Sequence, residues 1–386
     1  MDSGIKTAII LGAAIAVAIA GISVSLSALD EPVADSLTDP VTDISEQPQA
    51  PVPTIDKSRY RQAPDMMGIA GYINTTPEGL ASAMADSVVL YDIWTYSCIN
   101  CIRTLPYITA WDDQYADQGL LIVGIHSPEF EFEKDIVNVQ AAVDKYGISY
   151  PVILDNDKET WKAFENRYWP RKYIADHEGY IRYDHIGEGA YAETERVIQR
   201  LLAERAASLG MQTDTSTSLV DLDEFEHTRS RTQELYFGYY FAQGRDRLGS
   251  PEGFQRNSEV TYTIPESTDR DYFYLTGTWE NQKDGMILVS DSGVIQLQYR
   301  AKEVNIVAGG AADLKVTLKP GDGSLPEEHW GTSIAATEGS GADQTAVVQI
   351  GDHDLYNIVQ SDEAGTHTII LEVDEPGFEI FTFTFG

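Results

Sequence analysis

Cysteine is nearly absent: two in 386 residues, Cys98 and Cys101, too few for a disulfide framework and two ligands short of a tetrahedral zinc site. Basic residues are scarce as well. Against 61 Asp and Glu stand 27 Lys and Arg, a formal net charge of −34 that repels phosphate backbones and argues against nucleic-acid binding. Long apolar runs are rarer still, with a single one near the start. What remains is ordinary globular composition, 42% hydrophobic and 23% charged, in a chain long enough for two cores and a tail.

The one apolar run, Thr7 to Leu29, holds no charged residue and is long enough to cross roughly 30 Å of hydrocarbon as a helix. Lys6 precedes it, and Asp30, Glu31, Asp35, Asp39 and Asp43 follow, a bias that leaves the N-terminus inside and the rest outside. Residues 1–29 therefore read as a membrane anchor, or as a cleaved signal segment with Ser25, Ser27 and Ala28 near its cleavage site. The anchor implies a single-pass protein of the cytoplasmic membrane with its C-terminal part outside; cleavage implies secretion. No cysteine near the end of the run allows lipid attachment. Residues 30–64, rich in Asp, Pro, Ser and Thr, read as an extended, self-repelling linker.

Downstream, apolar runs of strand length at Val88–Trp94 and Leu120–Ile125 flank a helix-compatible stretch from Ile102 to Tyr115. Further strands are expected at Pro151–Leu154, Lys172–Ala175 and Tyr180–His185, with helices around Glu133–Tyr146, Lys158–Glu165 and Ala192–Ala206. The order predicts a mixed α/β sheet over residues 65–209 with an antiparallel hairpin at one side. After a linker at 210–230, short alternating segments separated by Gly, Pro and Asp predict an all-β sandwich of jelly-roll type over 231–386.

Cys98 and Cys101 form C-x-x-C directly after a strand and directly before a helix. Free N–H groups and partial positive charge at a helix N-terminus stabilise a thiolate. The first sulfur is then the exposed nucleophile, and the second, one turn in, resolves a mixed disulfide. Three other uses are weaker. A structural bridge over so small a loop stabilises little. Zinc lacks ligands, and c-type haem attachment requires His where Ile102 stands. No metal or cofactor is called for. Asp92 interrupts the apolar strand; buried there it would suit proton acceptance near neutrality, the alternative being an Asp satisfied by backbone.

Asp92-Ile93-Trp94-Thr95-Tyr96-Ser97-Cys98-Ile99-Asn100-Cys101 resembles the active-site segment of thioredoxin-like proteins of the DipZ type, in the wider TlpA and AhpC/TSA redoxin group. The resemblance continues in Tyr168-Trp169-Pro170-Arg171-Lys172-Tyr173-Ile174-Ala175-Asp176, in Gly179-Tyr180-Ile181-Arg182 and in His185-Ile186-Gly187-Glu188-Gly189. It reaches Thr232-Gln233-Glu234-Leu235-Tyr236-Phe237-Gly238 and the terminal Phe383-Thr384-Phe385-Gly386, covering roughly residues 65–386. It implies a thioredoxin-like fold followed by a carbohydrate-binding-like β-domain, with Cys98, Cys101 and Asp92 catalytic and Pro170 cis, facing the cysteine pair. Trp94 and Trp169 flank the site in the same reading, each open to either core packing or substrate contact. His126 and Glu188 are assigned structural roles.

The leading function is an extracytoplasmic thiol–disulfide oxidoreductase that reduces or exchanges disulfides of exported proteins. DipZ proteins pass electrons through a multi-helix membrane domain, so a single apolar run points to a separate membrane electron-transfer partner. One alternative is a thiol peroxidase, for which Thr95 and Cys98 fit half of the Pro-x-x-x-Thr-x-x-Cys pattern, with Tyr91 where Pro belongs. The other is a surface carbohydrate-binding protein, with glycans stacking on Trp279, Trp330 or Tyr299, residues that read equally as core or ordinary surface.

Overall fold

A computed structural model describes residues 56–211, 218–226, 231–310, 312–319, 326–339 and 345–386. The run Thr7–Leu29 and the linker as far as residue 55 lie outside the described residues. Among the described residues no helix is long and apolar enough to cross a membrane.

Six strands, β1 (Gly71–Ile73), β2 (Val88–Trp94), β3 (Leu120–His126), β4 (Val152–Leu154), β5 (Arg171–Ala175) and β6 (Ile181–Ile186), form a sheet in the order β1-β4-β3-β2-β5-β6. β2, β3 and β4 run parallel, while β1, β5 and β6 are antiparallel to their neighbours. Five helices accompany it: α1 (Pro77–Met84), α2 (Ile99–Tyr115), α3 (Ile136–Lys145), α4 (Glu159–Ala163) and α5 (Tyr191–Ser208). The continuous apolar runs became strands buried on both faces; all seven residues of β2 are buried. Alternation sends Val88, Leu90 and Trp94 towards α2, α3 and α5, and Val89, Tyr91 and Ile93 towards Leu80 of α1 and Phe164.

Two elements escaped the sequence reading. α1 has a clear start signal in retrospect: Thr76 accepts from Gly79 N at 3.1 Å, and Pro77 opens the helix. β1 is too short to show a period. The helix expected from Glu133 begins later, because Asp135 caps Val137 N (2.9 Å) and Glu133 lies in a 3-10 turn, Glu131–Lys134, facing inwards. The linker ends earlier than residue 64. Lys57 pairs with Asp176 at 2.9 Å, and the chain from Arg61 to Ala63 bonds to Gly179 and Ile181, so polar residues that read as tether dock on the β5–β6 turn. Part of the second linker docks too: the buried Glu195 receives Val220 N, and Tyr107 Oη donates to Leu222 O.

The second half is all-β, as expected: β7 (Leu235–Tyr236), β8 (Glu259–Tyr262), β9 (Phe273–Asn281), β10 (Met286–Leu288), β11 (Gly293–Gly309), β12 (Ala312–Lys319), β13 (Ile334–Glu338), β14 (Thr345–Ile350), β15 (Asp354–Val373) and β16 (Glu379–Phe385). The strands form one barrel-like sheet. Along one edge β11 pairs β15; along the other its first part pairs β9 and its last part β16, and β10 bridges β9 and β16 to close the ring. Trp279 and Tyr299 are 0% and 1% exposed inside this core, so of their two readings core packing holds and sugar stacking does not: strand alternation turns both rings inward. Trp330 is half-buried against the same core.

The two halves meet through the segment after β3. Phe130 and Phe132 pack on Tyr236, Phe241 and Phe381, with Phe132 stacked on His353 at 4.8 Å. Lys145–Asp354 and Arg103–Glu303 ion pairs flank this contact, and Glu131 N donates to Asp284 at 2.9 Å.

Candidate active site

The buried strand β2 ends at Trp94, and the turn Thr95–Ser97 delivers Cys98 to the N-cap of α2. Cys98 is partly exposed, and its Sγ accepts the Cys101 N–H at 3.3 Å. The positive end of α2 thus faces a sulfur open to solvent. Both cysteines are free thiols. One turn on, Cys101 is 1% exposed, and burial pushes its thiol well above the ordinary value. The pair is thus asymmetric, one sulfur open to solvent and the other enclosed.

Behind Cys101 stands Asp92. Even-numbered residues of β2 face α2, which puts the carboxyl on the cysteine side of the sheet. Burial raises its pKa to about 6, against the opposing pull of Lys172. Lys172 is its direct cross-strand partner in the β2–β5 register. The ammonium is fully buried, donates to Gly187 O at 3.2 Å and lies over the Tyr191 ring at 5.8 Å. Burial lowers its pKa, while Asp92, Cys101 and Glu188 favour its charge.

The turn before Cys98 is braced from below. Ser97 Oγ donates to Glu133 Oε1 at 2.6 Å, and the other oxygen of this buried carboxyl accepts Glu129 N and Phe130 N. Thr95 Oγ1 lies 3.3 Å from His126 Nε2. His126 is fully buried between Trp94 and Tyr96, and burial lowers its pKa to about 3, leaving a neutral structural ring. The Thr95 hydroxyl also bonds the buried Glu133 carboxyl, so it bridges two buried groups beneath the turn.

Immediately before β5, the Trp169–Pro170 bond is cis. Trp169 borders the same cleft as Cys98, its Nε1 donates to Ser127 O at 2.9 Å, and Lys158 Nζ sits 4.3 Å over its ring. Trp94, by contrast, is wholly inside the core. The cleft, about 280 Å³, has Ser97, Cys98, Ile99, Asn100, Glu129, Phe130 and Trp169 on one side. Its other side comes from the β half: Arg231 to Glu234, Thr382, Thr384 and Phe385. Tyr236 Oη lies 2.8 Å from Glu129 and 2.6 Å from Glu234, tying the two walls together. Burial raises the Glu129 pKa to about 8, helped by Glu234 and Glu133.

Sequence reasoning passed over Lys172, Glu133 and Glu129. The first follows Arg171 at the start of β5, where a Lys reads as solvated. Nothing local signals the other two, which act through folding of the Ser127–Lys134 segment against the turn. No group of His, Cys, Asp and Glu fit to hold a metal occurs among the described residues.

Residues 61–184 match the AhpC/TSA family, and residues 232–386 match the family described as thioredoxin like C-terminal domain. Protein DipZ of Mycobacterium bovis is 33% identical over 327 residues, which cover 84% of this chain and 43% of that protein. The chain thus spans less than half the length of this relative. Thiol-disulfide oxidoreductase YkuV of Bacillus subtilis is 29% identical over 143 residues, 36% of this chain and 94% of the relative. Among solved structures, a thioredoxin-like protein in the oxidized form is 27% identical, with a TM-score of 0.34 over 39% of this chain and 99% of that one. On these matches the chain is similar to DipZ over 84% of its length, with an AhpC/TSA-family region followed by the thioredoxin like C-terminal domain.

Proposed function

We propose that this protein is an extracytoplasmic thiol–disulfide oxidoreductase that reduces or exchanges disulfides of exported proteins through Cys98 and Cys101. The observation that carries the reading is the asymmetry of the pair: one sulfur partly exposed at a helix N-cap on a cleft floor, the other buried beside an acid of raised pKa. The Cys98 thiolate attacks a substrate disulfide, forms a mixed disulfide and expels one substrate thiolate. Cys101 then gives its proton to Asp92 and attacks the Cys98 sulfur, expelling the second thiolate and leaving a Cys98–Cys101 disulfide. Two electrons pass to the substrate, and a dithiol partner must return them. A separate membrane electron-transfer protein suits that role. Trp169 borders the cleft beside Cys98, and it and the adjoining cis Pro170 are assigned to substrate contact.

Export rests on the charge bias around Thr7–Leu29. The β half is assigned to the substrate cleft, because Arg231–Glu234, Thr382, Thr384 and Phe385 border it. Glycan binding by that half loses two of its three aromatic candidates to the core, and only Trp330 keeps an accessible ring.

The deciding measurement is the equilibrium reduction potential of the pair. A value near −270 mV makes the protein a reductant, whereas one near −120 mV makes it an oxidant and overturns the reductase direction. Loss of all disulfide reduction in Cys98→Ser is expected alongside; activity surviving that change would remove the reading itself.

A further inference from the structure

The charged groups behind Cys101 do not stop at Lys172. Glu188, on the Gly187–Gly189 turn, favours the charge of Lys172, and its own carboxylate feels Lys172 and Arg103. Arg103 Nη1 stands 3.8 Å from Glu188 Oε2, and its Nη2 is ion-paired with Glu303 of β11. The guanidinium also lies flat on the Phe225 ring, 3.4 Å from its centroid. Arg103, Glu188 and Glu303 are 12%, 6% and 12% exposed, so little solvent screens them from one another. Asp92, Lys172, Glu188, Arg103 and Glu303 therefore form a run of alternating sign from the resolving cysteine to the β half.

We propose that Glu188 and Arg103 are positioning residues that transmit the docking of the β half, through Glu303, to the Asp92–Lys172 pair and so set the readiness of Asp92 to accept the Cys101 proton. The inference rests on the oxidoreductase reading. Lys172 is shared between two carboxylates. When Glu188 is ionised, Lys172 is partly neutralised and Asp92 holds a proton more firmly. When Glu188 is neutral, Lys172 acts on Asp92 alone and keeps it ionised. Glu303 opposes ionisation of Glu188 by its own charge, and by occupying Arg103 it weakens Arg103's hold on Glu188. The other charged or titratable neighbours are Arg231, His185 and Tyr191 around Glu188, and Tyr150 and Cys101 around Asp92. Substitutions at the two glutamates should therefore move Asp92 in opposite directions. A direct field from either lost negative charge would move it the same way in both.

A nitroaromatic disulfide with a coloured thiolate separates the steps in the full chain. Attack by Cys98 releases the first thiolate and resolution by Cys101 the second. The pH midpoint of the second phase reports Asp92. Glu188→Gln should lower that midpoint by roughly half to one pH unit, and Glu303→Gln should raise it. Glu188→Asp should return it towards the wild-type value. Both variants shifting the same way, or neither shifting, overturns the relay while the first phase still validates the oxidoreductase reading. If Glu188→Gln does not fold, Glu303→Gln decides alone: an upward shift supports the relay, and a downward or absent one sinks it. A wild type with no second phase removes the parent reading and the relay with it.

Discussion

Cys98 and Cys101 are separated by one helical turn and by solvent. That difference predicts opposite phenotypes: Cys98→Ser should abolish insulin-type disulfide reduction, and Cys101→Ser should accumulate mixed disulfides visible on non-reducing gels. An exchange of those behaviours would reverse the roles. Asp92 supplies a second test, in stability. Its folded pKa of about 6 lies above the ordinary 3.8, so the native state holds the proton longer than the unfolded chain does. Its contribution is fully present below about pH 4 and is lost as pH rises through 6, for a total of about 3 kcal/mol. Denaturant unfolding of wild type and Asp92→Asn should therefore show their difference moving in favour of the variant from pH 4 to pH 7. A constant difference would mean the carboxyl is not desolvated as described.

Among the elements, the segment Ser127–Lys134 does the most positioning. One buried carboxyl, Glu133, gathers the Ser97 hydroxyl from the turn before Cys98 and two backbone N–H groups from its own loop. Glu133→Ala leaves these donors without an acceptor and should cost about 3 kcal/mol in unfolding free energy. The same variant should slow thiol exchange at Cys98, because the turn that presents the sulfur loses its brace. Unchanged stability would show that solvent replaces the carboxyl. Strand and helix placement was mostly legible, because β2, broken only by Asp92, and β3 are apolar runs and α2 has room for its period between them. β1, with three residues, had no period to read, and the later start of α3 depends on Asp135 as a cap.

At the scale of the whole molecule, the halves share an aromatic contact rather than a loose tether. Phe130 is 1% exposed between Tyr236, Phe241 and Phe381. Phe381→Ala should cost about 3–5 kcal/mol and also alter reactivity at Cys98, since β16 borders the cleft. Calorimetry of the wild type should show a single transition for the described body; two well-separated transitions would contradict so tight a contact. Protease added to intact cells should cut within residues 30–55 if that stretch lies outside the membrane, and full protection there would contradict export.

Local signals in the sequence determined the C-x-x-C pair, its place between a buried strand and a helix, and the change from α/β to all-β texture. These depend on periodicity and spacing, which are written along the chain. Asp92 was legible for the same reason: an acid inside an apolar run stands out, and alternation alone places it on the face of Leu90 and Trp94. Only the tertiary structure decided its partner, since Lys172 meets it through the register of two antiparallel strands distant in sequence. It alone also decided that Trp279 and Tyr299 point inward, and that Arg231–Glu234 and Thr384 face Cys98. Which side of a strand is buried, and against what, is set by the closing of the sheet and the docking of the halves, and no local pattern in the chain records either.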